Sequence, residues 1–265
     1  MRLPVAFVPH GGGPWPFVDF GLPQAEIDSL TTYLKHVREL PKEPPRALVV
    51  VSAHWEEPSP TVMSSPAPPM LYDYYGFPPA SYELQWPAPG EPKLAARVRE
   101  LLDSKGFASG ENATRGYDHG TWVPLKVAWP EANVPVVQLS LEGNLDAREH
   151  IEIGRALAPL RDEGVFILGS GNTFHNLPGF RDKRAIEPSE KFDEWVRAAA
   201  TASPRERDEL LANWQKAPHA RYCHPREEHL LPLMVVAGAA GDDRGTTTWT
   251  GTFSHVRISA FHYGS

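Results

Sequence analysis

Three histidines directly follow apolar, β-branched runs: His10 after VAFVP, His54 after LVVVSA, and His175 a few residues past VFILGSG. A strand ending in an imidazole places a nitrogen donor at a sheet edge, where it suits metal ligation or proton transfer. Two more sit in comparable settings, His119 in GYDHGTWVP and His229 in REEHLLPL. Taken singly, a histidine beside a strand is most often a hydrogen-bonded structural residue. Five at matching topological positions point instead to a shared metal or acid–base site. His36 and His150 read as solvated helix positions, His224 precedes Pro225 and could cap the next helix, and His262 is a weaker site candidate.

The run HGGGP (10–14) alone fits an oxyanion hole, a phosphate cradle, a tight turn or cleared space around a metal. An α/β-hydrolase would also need a Gly-x-Ser-x-Gly elbow, but the residue two before Ser170 is Leu168. The phosphate loop Gly-x-x-x-x-Gly-Lys-Ser/Thr is absent, and Pro14 interrupts any GxGxxG. The lone Cys223 has no strand-to-helix elbow. A metal remains. Imidazoles suit Fe(II), Zn(II), Ni(II) or Cu(II) rather than Mg or Ca. With no thiolate cluster, an all-histidine site resembles an open catalytic centre more than a closed structural zinc.

The elements that must position these residues alternate. Strands are expected at 5–9, 46–55, 134–141 and 165–172, and two closing strands at 246–253 and 254–263. Helices are expected at 23–40, 92–106, 145–164, 186–201, 204–216 and 226–241, the last kinked at Pro232. Residues 56–90, rich in Pro, Ser and aromatics, read as a long functional loop with a short hairpin at SYELQW. The alternation predicts one α/β domain over 1–265, with a mostly parallel central sheet flanked by helices. Such sheets bind ligands outside the carboxyl ends of their strands, so the metal site is expected there.

Composition excludes several classes. The formal charge is −7 with scattered Lys and Arg, so no nucleic acid or anionic membrane is expected as a partner. No apolar run approaches the ~20 residues a spanning helix needs. The N-terminus lacks a basic region followed by a long apolar one, and a single cysteine suits a reducing compartment, so a cytoplasmic location is expected. The 28 prolines suggest long ordered loops, which often carry sites.

Together, HGGGP (10–14), SAHW (52–55), YDYYGFP (72–78), DHGTWVPL (118–125), GSGNTFHNL (169–177) and HPREEHLLPL (224–233) resemble the class III extradiol ring-opening dioxygenases, specifically their DOPA-dioxygenase-like branch. The motifs span nearly the whole chain. The resemblance implies that His10, His54 and His229 hold the metal, His229 standing where related enzymes use a carboxylate. It places His175 beside the metal, as a fourth ligand in a zinc form or as the acid/base in an iron form, and makes His119 the other proton-transfer candidate. It implies non-haem Fe(II) for activity, with Zn(II) as an alternative occupant, a catechol and O₂ as the partners, and a monomer or homodimer. Trp15, Tyr72 and Trp122, with Tyr74 and Phe77, are the rings expected to stack on the substrate, and Asp73 or Arg226 could meet a polar tail. The rivals are a zinc hydrolase or other redox-inert metalloenzyme on the same scaffold, and a binding protein that has lost catalysis.

Overall fold

The runs VAFVP, ALVVVSA and VFILGSG have no polar face, and in the computed structural model, which describes residues 2–19 and 21–265, they lie side by side at the centre of one sheet. In chain order the strands are β1 (Val5–Pro9), β2 (Ala47–Glu57), β3 (Thr61–Met63), β4 (Gly110–Asn112), β5 (Val136–Glu142), β6 (Val165–Gly171), β7 (Gly245–Phe253) and β8 (Val256–Tyr263). They are ordered β4-β3-β5-β2-β6-β1-β8-β7. The inner four, β5, β2, β6 and β1, run parallel, with Val49 opposite both Val137 and Ile167, and Ile167 opposite Val5. β3 and β8 join antiparallel on either side. The carboxyl ends of β1, β2 and β6 therefore open on one edge.

The helices are α1 (Gln24–Val37), α2 (Pro92–Ser104), α3 (His119–Ala128), α4 (Ala147–Leu157), α5 (Ile186–Thr201), α6 (Pro204–Ala212), α7 (Ala220–Cys223) and α8 (Leu231–Ala240). Successive residues of a strand face opposite sides, and β6 shows both coverings. A methyl group on Gly169 would lie 2.4 Å from the Pro232 carbonyl oxygen in α8, while the hydroxyl of Ser170 donates to the Gly120 carbonyl in α3. α8 is buried throughout and packs on β6, β1 and α4.

The α/β architecture and the parallel core are those expected. Several boundaries differ. The helix expected over 226–241 begins only at Leu231, and Pro232 sits in its first turn, where a missing N–H costs nothing, so there is no kink. The helix expected over 145–164 gives way after Leu157 to a tighter turn containing Pro159. The hairpin expected at 81–86 is a single turn over Pro79–Tyr82. His119 opens a helix rather than lying between elements; α3 is apolar all round, so it shows no amphipathic period. His150 is fully buried, not solvated, its Nε2 accepting from the Glu142 amide at 3.2 Å. His224 does not cap the next helix, which begins at Leu231; it closes α7 and lies buried beside Phe192 and Trp214. Among the described residues no helix is long and apolar enough to cross a membrane.

α4 and α8 cross at two glycines. A methyl group would fall 2.0 Å from the Val235 carbonyl oxygen on Gly154, and 1.9 Å from that of Ile151 on Gly238. Gly238→Ala must push the helices apart, at an expected cost of about 1–3 kcal/mol. That lowers Tm by roughly 2–4 °C per kcal/mol in a chain of this size. A thermal melt checks it; an unchanged Tm would contradict so close a crossing.

Candidate metal centre

β1 ends at Pro9, and His10 continues its ladder by donating its backbone N–H to Gly171 O at 3.1 Å. His54 is not past its strand, as expected, but within β2, where the pairing with β5 breaks between Val51 and Glu56. There its ring lies beside that of His10, with the two centroids 4.8 Å apart. Their Nε2 atoms stand 3.1 Å apart, and His229 Nε2 lies 3.2 Å from His54 Nε2. Donors bound at about 2.1 Å to one ion would be about 3.0 Å apart at right angles and about 3.4 Å apart at the tetrahedral angle. His10, His54 and His119 each bring one nitrogen within 4.8 Å of the others, and His175, Glu228 and His229 form a second such group. The 3.2 Å contact between His54 and His229 joins the two groups into one cluster.

His229 comes from the turn before α8, which closes on β6 because Gly171 has no side chain. A methyl group there would lie 2.2 Å from the His229 carbonyl oxygen, which instead accepts from the Asn172 amide at 3.0 Å.

The second ring nitrogens set the tautomers. Ser170 gives its hydroxyl proton to Gly120 O, so its oxygen accepts from His10 Nδ1–H at 3.2 Å. Glu228 Oε1 accepts from His229 Nδ1–H at 2.9 Å and from His175 Nδ1–H at 3.0 Å. Asp73 Oδ1 accepts both the backbone N–H of His119, at 2.8 Å, and its Nδ1–H, at 2.9 Å. The Nε2 atoms of His10 and His229 are thus bare lone pairs aimed at His54. One Nε2–H on His54 could satisfy only one of them, and the Asn172 amide reaches His10 Nε2 only at 3.4 Å; a cation satisfies all three rings at once, and the donor set therefore fits a borderline divalent metal.

His54 is held from behind. Its amide donates to Ser52 Oγ at 3.2 Å, and Ser52 Oγ–H donates to Asp118 Oδ1 at 2.7 Å. Arg115 reaches both Asp118 Oδ2, at 2.9 Å, and the His54 carbonyl, at 3.2 Å. Burial, reinforced by neighbouring imidazoles, holds His10 and His229 well below the ordinary histidine range; burial and His119 do the same to His54. Burial alone would raise the carboxyls of Asp73 and Glu228. Hydrogen bonds and charge from His119 and His54 lower the first, and those of His175, with Arg226, lower the second.

The cluster forms the floor of a cleft of about 820 Å³. Its aromatic walls are Tyr74, Phe77, Phe180 and Phe253, and Tyr75 and Leu177 stand exposed at its mouth. Trp15, Tyr72 and Trp122 do not line it. Trp15 and Trp122 are buried behind the wall, and Tyr72 donates its hydroxyl to Leu84 O at 2.6 Å. Asp73 is engaged by His119, and Arg226 grips both oxygens of Glu56.

Residues 4–264 match the family model described as the catalytic LigB subunit of aromatic ring-opening dioxygenase. The chain belongs to this family. A Beta vulgaris protein named 4,5-DOPA dioxygenase extradiol is 40% identical over 86% of this chain and 87% of its own length. An Escherichia coli K12 protein of the same name is 37% identical over 90% and 85%. The solved structure of an uncharacterized E. coli K12 protein superposes with a TM-score of 0.79 at 32% identity, covering 99% of this chain and all of that one. The LigB family is metal-dependent, and the histidine cluster of this chain could hold a metal ion.

Ser170 and the partnership of Asp73 with His119 have no signature in the sequence. Only Asp118 carried a usable signal, an N-cap acid three residues before Thr121, whose amide it accepts at 3.0 Å. The buried imidazoles carry a pH prediction. Their folded values are depressed, so below about pH 6.5 the unfolded chain binds more protons than the folded one. Stability is then complete above that pH and is lost on acidification. In metal-free protein the denaturant midpoint should stay flat from about pH 8 to 7 and fall between about pH 6.5 and 5; a midpoint that holds or rises would show that these rings are not buried neutral.

Proposed function

We propose that the chain is an Fe(II)-dependent extradiol dioxygenase that opens a catechol ring, with DOPA or a similarly substituted catechol as substrate. The observation that carries this is the approach of the His10 and His229 Nε2 atoms to that of His54, at 3.1 and 3.2 Å, beside the cleft. These three would hold the metal. Bound there, Fe(II) supplies the redox partner that lets O₂ react with a deprotonated catechol, chemistry that redox-inert zinc lacks.

The remaining work belongs to the chain. His175 and His119 each present Nε2 to the cleft with Nδ1–H tied to a carboxylate, so each can accept a hydroxyl proton and return it later. The paired carboxylate stabilises the imidazolium that forms. Phe77, Tyr74 and Phe180 offer faces for a flat ring and keep water from it. The names of the relatives support a DOPA-like catechol.

Protein reconstituted anaerobically with Fe(II) should consume O₂ with at least one member of a catechol panel that includes DOPA and give a coloured ring-opened product. The zinc-loaded protein should not. No uptake with any catechol would sink this reading. His54→Ala should abolish metal binding, whereas His119→Ala should keep the metal and slow turnover by about 10²–10⁴-fold. Full metal occupancy in His54→Ala would refute the ligand assignment.

A further inference from the structure

Glu228 stands one residue before His229, yet its carboxylate serves two rings. Oε1 accepts Nδ1–H from His229 at 2.9 Å and from His175 at 3.0 Å. The two rings stack, with centroids 3.2 Å apart and 12° between their planes. The other oxygen, Oε2, is buried without a hydrogen bond and lies 3.6 Å from the Arg226 guanidinium. Arg226 is anchored in turn on both oxygens of Glu56, at 2.5 Å each, at the end of β2. Glu227 turns away to Arg221. The bonded oxygen of Glu228 lies on the Nδ1 side of His229, while the Nε2 side meets His54 at 3.2 Å. Glu228 therefore stands behind the donor set, not within it.

We propose that Glu228 is a positioning residue which, through one oxygen, fixes both His229 and His175 with Nδ1 protonated and Nε2 bare. The inference rests on the functional reading above, because it ties a proposed ligand and a proposed proton acceptor to the same atom. The pairing explains why two imidazoles can stack so closely. Each turns its N–H to a shared anion and its lone pair to the cleft. Glutamine cannot replace the carboxylate here. Its neutral oxygen accepts both N–H groups more weakly, and its amide protons face a pocket that offers Oε2 no acceptor.

The test combines long-range ¹H–¹⁵N spectra of histidine-labelled, metal-free protein with zinc affinity measured against a chromophoric chelator. In the wild type both rings should show the Nδ1–H tautomer. Glu228→Gln should shift both toward mixed tautomers and weaken zinc binding by about 10–100-fold, as loss of an outer partner does, with the circular dichroism spectrum unchanged. Wild-type tautomers and affinity in Glu228→Gln would overturn the proposal. So would a fall in affinity with both tautomers unchanged, which would make Glu228 a direct ligand. If the variant does not fold, the wild-type spectrum decides, since an Nε2–H tautomer on either ring refutes it. Oxygen uptake by the Fe(II)-loaded wild type tests the functional reading separately, so either can fail without the other.

Discussion

The Nε2 atoms of His10 and His229 are each held about 3 Å from that of His54 in a buried site, lone pairs crowded together, and the rest of the structure answers that constraint. Left free, the rings would rotate, protonate or turn to water. His10 and His54 cannot drift apart, because β1 and β2 are both bonded to β6 between them. His229 cannot retreat, because its carbonyl is pinned to Asn172 across the surface that Gly171 leaves bare. Nor can His10 or His229 flip, since each second nitrogen is committed to Ser170 or Glu228. The cost of holding the rings is met during folding, so none remains for the moment of binding.

Charge completes the same logic. Three neutral imidazoles do nothing to offset a divalent cation in a buried site. Asp73 and Glu228, one group removed, both have carboxyls held below the ordinary range, so they stay ionised around neutral pH. Together they bring two negative charges to the cluster. The same carboxylates orient His119 and His175. In the proposed function, counter-charge and proton handling would share these two side chains, leaving coordination positions for substrate and oxygen.

The parts legible in the sequence were those governed by local pattern. An apolar run closing on a histidine is visible in a few residues, and a parallel arrangement then brings distant runs to one edge. Helix α3 was hidden because every residue except Lys126 is buried, leaving no polar face to mark a period. β3 and β4, of three residues each, are too short for alternation to register. The orienting partners were out of reach for a different reason. Ser170 is 160 positions from His10, Asp73 is 46 from His119, and Glu228 is 53 from His175. Such pairings are set by how the sheet and its loops close, and no local spacing encodes them. Trp15 and Trp122 misled by size: the rings with most apolar surface gain most from full burial, and they are withdrawn from the cleft.

The HGGGP loop shows how a motif can be right in place and different in purpose. Its glycines were expected to clear space around a metal. Gly11 and Gly13 have φ of +75° and +53°, a region that glycine alone adopts freely. The space they leave, however, is filled by protein. A methyl group on Gly11 would strike the Trp15 indole at 2.3 Å, and one on Gly13 the Phe77 ring at 2.5 Å. Trp15 uses that closeness to donate its indole N–H to the His10 carbonyl at 2.7 Å. The glycines thus let one aromatic ring lock the backbone of His10 and another form the wall beside it. All three glycines still border the cleft, and the motif also keeps one imidazole still.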